Sequence, residues 1–284
     1  MRLAARFSLF AILISVAAAP ADTVTIGSAK DNTLYEDPDG QLSNGAGVRF
    51  FAGHTAIPEI RRGLIEFDIA AAVPSGATIT SVTLRLRMSK TIAGPQPVSL
   101  HRVLAEWGEG ASDPPGEEGA GIQAEPGDAT WLHTFYPDEY WTTPGGDFEP
   151  EPSATAMVDQ IGHYTWSSPQ MAADVQAWLN QPDSNHGWML RGNEIDVKTA
   201  KRFDTRATVI VNNRPALIID FTPGGTACVG DADGDGDTDQ SDLGLLLTHF
   251  GQEVQPGTGG DLNGDGVVNQ SDLGILLGDF PCPT

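Results

Sequence analysis

Positive charge is what this 284-residue chain has least of. Its 16 Lys and Arg stand against 38 Asp and Glu, none lies between Arg102 and Arg191, and none follows Arg214. A formal charge of −22 argues against nucleic acid and anionic membranes as partners held by charge. Cysteine is down to two residues. There is no G-x-S-x-G, no H-E-x-x-H and no phosphate-cradling glycine loop. With 38 acids some carboxylate pair could always be drawn for glycoside hydrolysis, and that abundance makes any one pairing uninformative. The sequence therefore reads as non-catalytic, with a cryptic polysaccharide hydrolase or lyase as the third choice.

Long apolar runs are missing too, except at the start. Arg2 and Arg6 precede the run Phe7–Ala18, which is too short to span a bilayer, and Ala19-Pro20-Ala21 offers an A-x-A cleavage site before Asp22. Residues 1–21 are expected to be an export signal, the alternative being an N-terminal anchor. Cleavage takes the charge from −22 to −24 and leaves a secreted or surface-attached protein with no membrane span in the mature chain.

The acid is concentrated in one pattern written twice. Asp231, Asp233, Asp235, Asp239 and Asp242 fall at positions 1, 3, 5, 9 and 12 of a twelve-residue loop. Thirty residues on, Asp261, Asn263, Asp265, Asn269 and Asp272 repeat those positions. Gly236 and Gly266 stand at position 6, where the chain must turn sharply. Asp237 and Val267 at position 7 would offer backbone carbonyls. Oxygen donors in this register point to two Ca²⁺ ions, against the plainer reading of a solvated acidic turn. Each loop runs into apolar residues at helical spacing: Leu243, Leu246, Leu247 and Phe250, then Leu273, Leu276, Leu277 and Phe280.

No helical pattern precedes either loop, and position 12 is Asp where an EF-hand has Glu. A duplicated loop-then-helix over Asp231–Phe280 resembles a dockerin, the module that plugs bacterial extracellular proteins into cohesin receptors. The resemblance implies a cohesin-like receptor or a cell-surface anchor. It also marks Gln240, Ser241, Gln270 and Ser271, identical in the two copies, as partner-choosing positions. Cys228 and Cys282 bracket the module. In an oxidising compartment they are expected to form one disulfide rather than two free thiols, worth about 4 kcal/mol on the disputed chain-entropy model. So small a unit has little core of its own, and calcium and the clasp would supply what burial cannot.

From Asp22 to Pro223 the apolar period is two. Val82, Leu84, Leu86 and Met88 alternate with Thr83, Arg85 and Arg87; Ile65, Phe67 and Ile69 alternate with Glu66 and Asp68; Leu217, Ile219 and Phe221 alternate with Ile218 and Asp220. One-faced strands between Gly/Pro turns predict a mainly β fold, an antiparallel jelly-roll-like β-sandwich over 22–223, with a linker at 224–227 and a small α-helical calcium module over 228–284. One helix is expected at Ser168–Leu179, with Met171, Val175, Trp178 and Leu179 on one face. The segment Gly108–Pro152 reads as a long loop, functional or disordered.

The motifs Asp31-Asn32-Thr33-Leu34-Tyr35, Arg62–Asp68, Pro74–Leu86, Leu100–Val103 with Trp107, Asp174–Leu179, Gly187–Arg191 and Arg214-Pro215 arrive in the order of the DNRLRE-type domain. Nearly all of Thr23–Pro223 resembles that bacterial extracellular β-sandwich, which is related to carbohydrate-binding modules. The resemblance implies a non-catalytic module, often attached to polysaccharide-degrading or surface proteins, and implies no ligand; carbohydrate binding is the leading function, with a polysaccharide as the expected partner. Trp131, Tyr136, Tyr140 and Trp141 crowd the long loop near His133 and could stack on sugar rings, or could pin the loop to the domain. Trp107, Trp166, Trp178 and Trp188 are expected in the core. Arg61, Arg62, Arg85, Arg87 and Arg102 could clamp an anionic glycan or pair with the many carboxylates. A structural or adhesive surface protein that binds no glycan is the runner-up.

Overall fold

The computed structural model describes residues 21–57, 59–224 and 228–282. The expected export signal, apart from Ala21, and residues 225–227 of the expected linker lie outside the described residues. The fold is mainly β. The strands are β1 (Asp22–Gly27), β2 (Lys30–Tyr35), β3 (Leu42–Ser43), β4 (Arg49–His54), β5 (Ile60–Glu66), β6 (Thr78–Thr91), β7 (Gln96–Arg102) and β8 (Ile122–Gln123). They continue with β9 (His133–Phe135), β10 (Glu139–Tyr140), β11 (Ala154–Val158), β12 (Gly162–Ser167), β13 (Trp188–Arg191), β14 (Lys201–Asp204) and β15 (Ala216–Thr222). The helices are α1 (Pro169–Asn180), α2 (Gln240–His249) and α3 (Gln270–Asp279).

Eleven strands form one antiparallel, curled sheet in the order β1-β15-β6-β14-β4-β5-β13-β7-β11, with β12 also on β6 and β2 on β5. Strand β4 links its two halves: Arg49–Ala52 pair with β14, and Gly53–His54 pair with β5. One face of the sheet holds the main core. Val82, Leu84, Leu86 and Met88 of β6 are fully buried there, while Arg85 and Arg87 between them stay on the half-exposed outer side. Leu217, Ile219 and Phe221 of β15 join them, as do Phe50, Ile65, Leu100, Trp166, Trp188 and Phe203. Period-two patterning places one side chain in two at the core, and the alternation in β6 and β15 follows it.

Helix α1 closes this core. Ser168 caps it by accepting the Met171 N–H at 3.0 Å, and Pro169 opens the first turn, where it gives up no helical hydrogen bond. Met171, Val175, Trp178 and Leu179 are buried on its inner face as the spacing predicts. Gln176 ties the helix to the start of β6, accepting from Ile79 N at 2.8 Å and donating to the Ala77 carbonyl at 3.1 Å.

The segment expected as a long loop is an ordered cover. It contributes β8, β9 and β10 and packs Ala129, Trp131 and Trp141, together with Val103 and Trp107 just before it, against Leu34, Leu64 and Met189 on the opposite faces of β2, β5 and β13. Strands β5 and β13 are thus buried on both sides, with Leu64, Ile65, Trp188, Met189 and Leu190 all at 0% exposure.

Cys228 and Cys282 form a disulfide with Cα atoms 5.8 Å apart, and no cysteine among the described residues is free. Within this C-terminal unit a third core gathers Leu246, Val268 and Leu276. The expected helical stripes are only partly buried. Leu247, Phe250, Leu277 and Phe280 are exposed, because α2 and α3 meet mainly through Leu246 and Leu276. Gly260 and Gly230, each just before a loop, let the backbone there run close against α2 and α3 respectively. A Cβ on Gly260 would sit 2.8 Å from Leu246 Cα, and one on Gly230 would sit 3.1 Å from Leu276 Cα. No helix among the described residues is long and apolar enough to cross a membrane.

Candidate metal centre

Each loop wraps around its position-1 carboxylate. Asp231 accepts from Gly234 N at 2.6 Å and from Gly236 N at 2.9 Å. Asp261 accepts from Gly264 N at 3.0 Å and Gly266 N at 2.8 Å. Gly236 and Gly266 have φ of +99° and +87°, a region that side chains with a Cβ rarely adopt. In loop one the carboxylates gather into two groups of three. Asp231, Asp233 and Asp235 each place one carboxylate oxygen within 4.8 Å of the others, and so do Asp237, Asp239 and Asp242.

The helices start on the same residues. Asp239 and Asn269 are N-caps, accepting from Ser241 N and Ser271 N at 2.6 and 2.8 Å. Asp242 and Asp272, fully buried at position 12, close capping boxes by accepting from Asp239 N at 2.7 Å and Asn269 N at 2.8 Å. Their other oxygens reach back to position 2, at Ala232 N and Leu262 N, 2.7 and 3.0 Å away. One residue at the twelfth position thus fixes both loop closure and helix start.

The two loops differ in charge. Loop one carries six aspartates in the twelve positions; loop two carries three, with Asn263 and Asn269 in place of Asp233 and Asp239. In loop one, desolvation and the charges of Asp235 and its neighbours push the Asp233 and Asp237 carboxyls up. Burial pushes Asp242 and Asp261 up as well, but backbone N–H donors outweigh it and hold both below the usual range. The Asp237 Oδ1 atom is enclosed with no hydrogen-bond donor. Hard oxygen donors, an orphaned carboxylate oxygen and unneutralised repulsion fit a hard divalent cation of the Ca²⁺ kind. Val267, 36% exposed, offers only backbone at the same position of loop two; its carbonyl accepts from the Asn269 amide at 3.0 Å. Asp279 was not legible as part of this unit. It holds loop one by accepting from Gly230 N and Thr238 Oγ1, both at 2.8 Å. A hint lies in the broken repeat, which has His249 at the equivalent place.

Gln240, Ser241, Gln270 and Ser271 are all exposed in the first turns of α2 and α3. The aromatic candidates divide. Trp131 and Trp141 are 9% and 5% exposed, and the Trp141 indole donates to the Thr130 carbonyl at 2.9 Å. Their faces are covered, so neither indole can stack on a sugar. Tyr140 is 62% exposed and lies against His133, ring centroids 4.3 Å apart; Tyr136 is half-buried and meets the same ring edge-on, centroids 5.1 Å apart.

The arginines mostly have carboxylate or aromatic neighbours. Arg62 donates to both oxygens of Glu194 at 2.9 and 3.0 Å and lies over Trp131. Arg61 pairs with Glu59 at 2.7 Å, Arg87 stands 3.8 Å from Asp204, and Arg102 faces the Trp178 ring. Arg85 sits on the outer side of β6 with its Nε enclosed. Compared with known proteins, the chain matches no family model and no curated protein.

Proposed function

We propose that this chain is an exported, non-catalytic binding protein: a DNRLRE-like β-sandwich carried on a dockerin-like tail that holds two calcium ions. The observation behind the reading is the doubled loop-and-helix unit, in which Asp242 and Asp272 close a loop of oxygen donors and start a helix at once. Side chains at positions 1, 3, 5, 9 and 12 and the carbonyls of Asp237 and Val267 would hold the ions. A bound cation neutralises the loop charge and lets the capped helices present Gln240–Ser241 or Gln270–Ser271 to a cohesin-like receptor or surface anchor. Polysaccharide is the ligand class for the sandwich.

A structural or adhesive role without glycan binding is a second reading. It is favoured by the burial of Trp131 and Trp141, which removes the most obvious sugar platform. Isothermal calorimetry with calcium tests the tail, and two sites are expected. Glycan-array binding of the full chain separates the two readings of the sandwich, and pull-down from a bacterial envelope with and without calcium tests for the receptor.

A further inference from the structure

The second loop has Thr258 and Gln252 where the first has Cys228 and Cys282, each pair displaced by thirty residues. The surroundings repeat closely. The Cys228 carbonyl accepts from Asp231 N at 3.1 Å, and the Thr258 carbonyl accepts from Asp261 N at 3.1 Å. At position 8 the Thr238 N–H donates to the Cys282 carbonyl at 2.8 Å, and the Val268 N–H donates to the Gln252 carbonyl at 3.1 Å. The return bonds differ by one residue. Gly251 N donates to the Val268 carbonyl at 2.7 Å, but its counterpart Pro281 has no N–H, and Cys282 N reaches the Thr238 carbonyl at 3.3 Å instead.

Each loop is therefore gripped by two shoulders, one before position 1 and one across from position 8. Loop two's shoulders are joined by the continuous chain Glu253–Gly257, which no chemistry of the sulfur can open. Loop one's shoulders are the two ends of the unit, 54 residues apart, and their covalent link is the disulfide. The sulfur pair does for the first loop what five residues of backbone do for the second.

Resting on the calcium reading above, we infer that the Cys228–Cys282 bond governs the calcium affinity of the first loop and leaves that of the second unchanged. A dithiol reductant gives two electrons and two protons to the sulfur pair, breaking the S–S bond to two thiols, and leaves as its own disulfide. Released, the Cys282 strand no longer holds Thr238, which lies between ligand positions 7 and 9. Coupling is reciprocal, so calcium in the first loop protects the bond from reduction by the same factor.

The test is calcium titration of the full chain by calorimetry in three forms: oxidised, dithiothreitol-reduced, and Cys228→Ser/Cys282→Ser. Asp265→Ala, which cripples the second loop, assigns the sites. First-loop affinity is expected to fall about tenfold, within the usual range for coupled sites, with the second within about twofold. Amide exchange gives a metal-independent readout: Thr238 should lose protection on reduction and Val268 keep it. Equal losses in both loops, no loss in the first, or Thr238 protection that survives reduction would overturn the inference while leaving calcium binding intact. An oxidised protein that binds no calcium would sink the calcium reading and the affinity claim together.

Discussion

Asp174 in α1 accepts the indole N–H of Trp188 in β13 at 2.9 Å, inside the main core, where both side chains are almost wholly buried. Ser153, at the end of the covering segment, donates to the same carboxylate oxygen, and Gln170 donates to the other at 3.0 Å. One carboxylate thus joins helix, sheet and cover. Asp174→Ala would leave the buried donors of Trp188 and Ser153 unpaired, the exposed Gln170 amide turning to water, and should cost about 3 kcal/mol, the scale for orphaned buried polar groups. Chemical denaturation would show it as a lower midpoint at unchanged slope. A loss below about 1 kcal/mol would mean that water replaces the carboxylate.

The buried indoles of the cover give the second prediction. Trp131→Ala and Trp141→Ala should each cost about 3–5 kcal/mol, as should Trp178→Ala in the main core. Tyr140→Ala, at an exposed ring, should leave the thermal midpoint nearly unchanged. If glycan binding then fails in Tyr140→Ala alone, the exposed tyrosine is a sugar contact. If binding survives, Tyr140 is not a sugar contact.

Two carboxyls set opposite pH trends. Burial pushes Asp31 up to about 7, against the hydrogen bond from Arg206 N. Its folded form holds a proton that the unfolded chain, near 3.8, gives up, so its contribution to stability falls as pH rises from about 4 to about 7. Burial pushes Glu194 up too, but hydrogen bonds from Arg191 and Arg62 and their charges outweigh it and hold it at about 2. That contribution is complete above about 4.5 and is lost as pH falls toward 2. Melting curves should therefore show Asp31→Asn gaining on the parent as pH rises to 8, and Glu194→Gln trailing it at pH 7 but converging near pH 2. A constant offset in either variant would contradict the assignment.

The strands of the main core were legible because Val82–Met88 and Leu217–Phe221 alternate, and α1 was legible from its stripe. The cover was not. Residues 108–152 have no period of two or 3.6, since their burial comes from facing a sheet rather than from regular structure of their own. A trace existed elsewhere: Trp188-Met189-Leu190 and Leu64-Ile65 are apolar without alternation, the mark of strands covered on both sides. Lys201 left no trace at all. It lies fully buried, its ammonium donating to the carbonyls of Ala93, Gly94 and Asp159, a satisfaction that only the folded chain reveals. At the two acidic loops the twelve-residue register of carboxylates and amides was plain from spacing. The uneven burial of the helical stripes was not, because it depends on how two short helices cross.

The charge asymmetry of the loops separates ligand from repulsion. Asp237 would bind through its backbone carbonyl, so Asp237→Asn keeps that donor and removes one of six negative charges. In chelator the first loop should then be less self-repelled, and the thermal midpoint of the tail should rise. Calcium affinity should fall by less than about tenfold, since no coordinating atom is lost. Asp242→Ala is the contrast. It removes the proposed twelfth-position ligand together with the acceptor for Ala232, Asp233 and Asp239 N–H, so loop and helix lose their common anchor. That variant should bind one ion instead of two and lose the circular-dichroism signal of α2 even in saturating calcium. If Asp237→Asn abolishes the site as completely as Asp242→Ala does, then the Asp237 side chain is itself a ligand. Its unpaired Oδ1 would be the atom that binds, and the first loop would differ from the second in coordination as well as in charge.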